Sequence, residues 1–172
     1  MTEAIAHGTS SSHGDTHTLR FALFLPYAAA RVWGEVATPV GMGQWLATAD
    51  VFESRLGGRV TLRGSDGPVA ADGTVTAWDG ERVAEYTFGG RGRIRFHLES
   101  VGAEATVVRF THEFTGPADR RPAALACWHA HFELLHEVLE GRPGLRPGEP
   151  AGSRERRRQL RSAYSPRGGR HS

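Results

Sequence analysis

The stretch Cys127-Trp-His-Ala-His-Phe-Glu-Leu-Leu-His-Glu-Val-Leu-Glu-Gly141 repeats its apolar residues at helical spacing. A helix advances about 100° per residue, so Leu125, Trp128, Phe132, Leu135 and Leu139 fall in one stripe. Gly141 and Pro143 stop the run, and the helix reads back to about Arg120. An apolar stripe of this length needs a broad surface to cover it. The chain before it is rich in strand patterns, so the covering surface is a sheet.

The same stretch carries His129, His131 and His136. Histidine is the usual metal ligand and general base near neutral pH. On the wheel His129 and His136 share one shoulder of the stripe, and His131 lies on the other. They cannot converge on one ion from this helix, and the spacing is not the i, i+4 pair of a helical zinc site. The three are expected to be packing shoulders, with no metal site and no cofactor. Cys127 is the single cysteine, which excludes an intrachain disulfide and a cysteine zinc site. Beside Trp128 it is expected to be a small buried apolar residue.

Upstream, Thr18–Leu25 alternates Leu19, Phe21, Leu23 and Leu25 with more polar neighbours, a strand that Pro26 ends. Ala28–Val36 reads as a short helix, and Pro39 opens a second one through Trp45-Leu46. Six more strands follow: Val51–Arg55, Arg59–Arg63, Val69–Trp78, Val83–Phe88, Arg93–Ser100 and Thr106–Phe114. Turn signals separate them, including Ser65-Asp-Gly-Pro68, Asp79-Gly80 and Gly89–Gly92. The predicted architecture is α+β: a curved antiparallel sheet wrapped around one long C-terminal helix, with two short helices after the first strand.

Residues 1–17 are rich in Ser, His, Gly and Thr and are expected to be a disordered tail. Residues 142–172 hold nine arginines against Glu149 and Glu155, whereas residues 1–141 hold twelve against seventeen acids. The chain's net charge of +2 therefore hides a basic end on a mildly acidic body. That body lacks the basic footprint of a nucleic-acid-binding domain. The basic end is expected to be a disordered extension, with Arg154–Tyr164 forming at most a transient helical turn or two. Its role, if any, would be electrostatic, toward an anionic or protein partner. No apolar run suggests a leader or a membrane span, so a cytoplasmic location is expected. The folded domain is placed at 18–141.

Alternation orients the strands. Val108, Phe110, His112 and Phe114 share the apolar, inner face, as do Ile94, Phe96 and Leu98, and Ala84, Tyr86 and Phe88. An apolar interior with a few polar points is the usual pattern of a small-molecule site. The candidate ligand-binding residues are Tyr86, Phe96, Phe110, His112, Trp128 and Phe132. His112 reads first as a hydrogen-bonded structural histidine and second as a direct ligand contact. No nucleophile triad, phosphate loop or pair of inward carboxylates is legible, so no catalytic residue is assigned.

The order of markers along 18–141 resembles the SRPBCC, or START-like, superfamily. More narrowly, it resembles the branch related to the activator of heat-shock protein 90 ATPase. The markers are Pro26, Val32-Trp33, Trp45-Leu46 and Glu53-Ser-Arg-Leu-Gly-Gly58. Thr106–His112 follows, then Trp128, Leu135, Leu139 and Gly141. Cys127 stands where that branch usually has glycine. The resemblance implies a helix-grip fold with a cavity between sheet and long helix. It is compatible with three roles: binding a small apolar molecule without catalysis, a cyclase- or aromatase-like enzyme using His112 and Tyr86, or a co-chaperone-like protein-binding domain.

Overall fold

The computed structural model describes residues 5–63, 70–145 and 150–165. Its elements are β1 (Thr9–His13), β2 (Thr16–Leu25), α1 (Ala29–Val36), α2 (Pro39–Trp45), β3 (Thr48–Phe52) and β4 (Arg59–Arg63). They continue with β5 (Ala70–Asp79), β6 (Val83–Phe88), β7 (Gly92–Ser100), β8 (Thr106–Thr115), α3 (Arg120–Leu139) and α4 (Arg154–Tyr164). The strands form one antiparallel sheet in the order β1-β2-β8-β7-β6-β5-β4-β3. The expected architecture is present: the curved sheet grips α3, and α1 and α2 follow the strand that ends at Leu25. The predicted Ser65-Asp-Gly-Pro68 turn and Val69 lie outside the described residues.

The register arranges the inner face in rows across the strands. Phe21, Phe110, Phe96 and Ala84 form one row, and Leu19, His112, Ile94 and Tyr86 the next. Stacked aromatic and aliphatic side chains on neighbouring strands are the unit of sheet stabilisation. Phe132 of α3 lands on the first row, with its ring 5.0 Å from those of Phe21 and Phe110. Trp45 closes the other side, 6.0 Å from Phe96 and stacked 5.9 Å from Phe132. Its indole donates to the Glu35 carbonyl at 2.8 Å.

Local chemistry explains the short elements. Thr38 caps α2, accepting from the Gly41 amide, and Pro39 occupies the first turn, where its missing donor costs nothing. In the Glu53–Gly58 stretch, Gly57 takes φ +79° and Gly58 lies against the Glu53 carbonyl, where a side chain would collide. That turn hydrogen-bonds to Val75 of β5 through both glycines.

Two expectations do not hold. The N-terminal segment is not wholly disordered: Thr9–His13 pairs with β2, and Thr16 and His17 belong to β2 itself. His17 is buried, held by Ser12 and by the Gly116 carbonyl. Nor is Arg154–Tyr164 a solvated extension. It is a helix packed on α3, capped by Ser153, with Leu160 only 1% exposed. Arg156 makes two hydrogen bonds to Glu133 of α3, at 2.9 and 2.6 Å. The Tyr164 hydroxyl joins both ends of the chain to α3, accepting from the Gly8 amide and bonding His129 Nδ1, each at 2.8 Å. The physical reason is the second face of α3. Ala126, Ala130 and Leu134 form a buried stripe of their own, small enough at two positions for another helix to approach.

The termini should therefore contribute to stability. Leu160→Ala is expected to cost about 2–5 kcal/mol, as other truncations of buried leucines do. Ending the chain after Gly141 should cost at least as much, lowering Tm by roughly 5–15 °C in thermal unfolding. An unchanged Tm for both variants would show that α4 does not dock.

Candidate functional site

The middle of the grip is filled. Phe96, Phe110 and Phe132, all expected to line a cavity, are at most 1% exposed and pack on one another and on Trp45. Tyr86 is also in the core, and its hydroxyl donates to the Val36 carbonyl of α1 at 3.0 Å. Burial pushes that phenol far above its ordinary range.

Open space lies beside this cluster. A groove of about 290 Å³ runs between α3 and the inner face, toward the β6–β7 turn. Ile94, Phe88, Leu62 and Ala71 supply its sheet wall, Leu46 and Ala47 its α2 side, and Ala124 and Trp128 its α3 wall. Arg91, His112 and His131 are its polar points, and Cys127 stands at its rim. Of the six residues expected to bind ligand, His112 and Trp128 line this groove. The other four form the core beneath it. Ile94 and Phe88 were readable as inward from alternation. Leu46, Ala47, Leu62 and Ala71 carried no such signal, because their place depends on how α2 and the far strands fold over.

Trp128 is the hinge between core and groove. Its ring lies 4.4 Å from Phe110 and stacks 5.6 Å from Phe132. Its Nε1 donates to His112 Nδ1 at 2.9 Å. With Nδ1 accepting, the proton of neutral His112 sits on Nε2, which donates to the Arg91 carbonyl at 2.9 Å. Both nitrogens are thus engaged, and a second proton would displace the indole. Burial holds the His112 pKa below its ordinary value, with the Arg91 carbonyl opposing. Tyr86 and His112 occupy the same row with Ile94 between them, roughly 10 Å apart along the sheet. One side chain reaches to α1 and the other to α3, so they do not converge as an acid and base would.

The three helix histidines go three ways. His129 is buried against Tyr164, with Glu133 3.8 Å from its Nε2. Burial lowers its pKa; Glu133 opposes this, and His7 and Arg156 reinforce it. His136 Nδ1 meets Glu140 at 3.0 Å. His131 Nδ1 lies 2.8 Å from the Cys127 carbonyl and 3.7 Å from its sulfur. Among the described residues no cluster of His, Cys, Asp and Glu could hold a metal. Cys127 is exposed, contrary to the expectation of burial, because the side of α3 that it occupies is only partly covered by α4. No described helix is long and apolar enough to cross a membrane.

A fold that wraps a strongly curved sheet around one long helix, with a groove at the helix flank, defines the helix-grip class. Within it, the sequence profile described as Activator of Hsp90 ATPase homolog 1-like protein matches residues 26–140, and the chain belongs to that family. No curated protein matches the sequence. Among solved structures, a conserved protein of unknown function from Enterococcus faecalis is similar at TM-score 0.73 and 16% identity, over 91% of this chain and 87% of that one. CalU16 from Micromonospora echinospora is similar at TM-score 0.71 and 14% identity, over 94% of this chain and 96% of its own. The Aha1 dimer from Colwellia psychrerythraea aligns at TM-score 0.60 and 21% identity, over 72% of this chain and 96% of that one. These likenesses establish the fold.

The Trp128–His112 bond makes a prediction about pH. A histidine of the unfolded chain takes its proton near pH 6.5, while His112 and His129 in the fold stay neutral to lower pH. Below about 6.5 the unfolded chain therefore binds more protons. Stability is full above that value and falls as pH drops through it. His112→Gln, which keeps one donor and one acceptor, should flatten the decline of Tm between pH 7.5 and 5.5. Trp128→Phe should raise the His112 pKa toward 6.5 in a proton NMR titration. A His112 pKa unmoved by Trp128→Phe would remove the indole as a cause.

Proposed function

We propose that the chain binds a small apolar molecule in the groove between Trp128 and Ile94, without transforming it. The observation that carries this reading is the groove itself: about 290 Å³, walled by aliphatic and aromatic side chains, with few polar points. Ligand sites are commonly concave and mostly apolar, with a few polar groups that set orientation. Arg91, His112 and His131 fit that second role. A similar fold at TM-score 0.62 and 22% identity, DynU16, is described as a putative protein in the dynemicin biosynthetic locus. It covers 73% of this chain and 48% of its own. A locus that makes a small molecule is a setting in which such a groove would be of use, and this favours a small ligand over a protein client.

Catalysis by His112 and Tyr86 is the weaker reading. A general acid–base pair must both reach the reacting atoms, directly or through one water. Here one hydroxyl is spent on the α1 backbone, and the imidazole is held between an indole and a carbonyl.

Binding of the neutral fluorophore Nile red tests the proposal. Saturable binding is expected for the full chain. Ala124→Trp places an indole in the groove from the α3 side and should weaken binding by about ten-fold or more at unchanged Tm. Unchanged affinity in the folded variant would remove the groove from the reading.

A further inference from the structure

A second concavity, of about 280 Å³, lies on the other side of the Cys127–His131 ridge, between α3 and α4. Its floor is Ala123, Ala126 and Ala130, and Arg157 and Arg161 lean over it from α4. Cys127 and His131 line both concavities, so the two meet along that ridge. Their chemistry differs. The sheet-side groove is apolar, while the α4-side bowl is overhung by two guanidinium groups one helical turn apart.

Of the five arginines of α4, these two line the bowl and, like Arg154, have no carboxylate partner among the described residues. Arg156 is committed to Glu133 and Arg158 to Glu155. Arg157 donates to the Gly152 carbonyl at 2.7 Å, which orients it but leaves its charge unbalanced. Among the described residues neither Arg157 nor Arg161 forms an ion pair with a carboxylate. Two cations without a carboxylate partner over a partly enclosed bowl favour an anion, and the planar guanidinium fork matches a carboxylate in geometry.

We infer that the ligand of the sheet-side groove is an amphipathic carboxylic acid. Its apolar body lies against Trp128 and Ile94, and its carboxylate crosses the Cys127–His131 ridge to Arg157 and Arg161. This rests on the apolar-ligand reading above and gives it a chemical class. It also gives α4 a purpose beyond packing, since the helix carries the anion-binding half of the site.

The test compares decanoate with decanol, which share the apolar chain and differ in the charged end. Binding is measured by displacement of Nile red from the full-length protein. Decanoate should bind about ten-fold tighter than decanol, an advantage that shrinks with added salt. The Arg157→Gln/Arg161→Gln pair should lower decanoate affinity to that of decanol and leave decanol unchanged. The Arg154→Gln/Arg158→Gln pair makes the same charge change on the outer face of α4 and should leave the preference intact. Glu149→Gln removes the acidic residue that directly precedes Pro150 in sequence, and so controls for a competing carboxylate of the chain itself. Equal affinity for the two ligands, in both the native chain and Glu149→Gln, overturns this inference while leaving the apolar-ligand reading standing. So does equal loss of preference in both arginine pairs. Failure to bind either ligand or Nile red overturns the apolar-ligand reading itself.

Discussion

The aromatic layer between α3 and the row Phe21–Phe110–Phe96 sets the terms for everything else. Phe132 is driven into it from the helix, Trp45 from the end of α2, and Trp128 covers its margin. Rings of this size bury large apolar areas and prefer tilted or edge-on contacts, the geometries seen here. Once they meet, the grip is closed at its centre. Among the described residues, open space between the sheet and α3 then lies where the rings stop, at the flank where Ile94, Phe88 and Ala124 leave a groove. Trp128 has two duties at that boundary. It completes the layer with its face and donates to His112 with its edge, so the wall of the groove is tied to the core behind it.

This is also where the sequence was legible and where it was not. Period-two alternation in Val108–Phe114, Ile94–Leu98 and Ala84–Phe88 placed the inner face correctly, because a sheet with one buried face tolerates no slip of register. The stripe from Leu125 to Leu139 placed the sheet-facing side of α3 for the same kind of reason. Alternation reports which side a residue faces and says nothing of how far the opposing layer stands away. Phe96, Phe110 and Phe132 were rightly inward and yet not beside the open space. The distance between layers is set by the sizes of all the rings together, including Trp45 from another element. His112 was legible as an inward polar residue, and its first reading, as a bonded structural histidine, describes the two bonds that it makes.

The ends of the chain were the largest misreading. Arg154–Tyr164 has one leucine and one tyrosine among five arginines, and such a composition ordinarily fails to fold alone. It folds here because α3 offers a prepared surface. Ala126 and Ala130 let it come close, Glu133 neutralises Arg156, and His129 receives Tyr164. The signal was present in the long helix and not in the tail. Ala123, Ala126, Ala130 and Leu134 recur at helical spacing on the side away from the sheet. A helix with two apolar sides has two neighbours. The N-terminal segment follows from the same docking. Gly8 lies so close over the Phe21 ring that a side chain would collide, and its amide is bound by Tyr164.

The charge segregation along the sequence acquires a different meaning once α4 is docked. As a free arm, the basic end would present its charge in every direction to any anionic surface. As a docked helix it sorts its arginines by position: Arg156 turns inward to Glu133, Arg157 and Arg161 line the bowl, Arg158 pairs with Glu155, and Arg154 points to solvent without a carboxylate partner among the described residues. Cys127 sits at the junction of these arrangements. Where the family pattern usually places glycine before the tryptophan, this chain has a thiol on the rim shared by the apolar groove and the arginine-covered bowl. A molecule that reached from one space to the other would cross the Cys127–His131 ridge that both share. An apolar chain with a terminal carboxylate matches the chemistry on the two sides of that ridge, an apolar wall on one and a pair of guanidinium groups on the other.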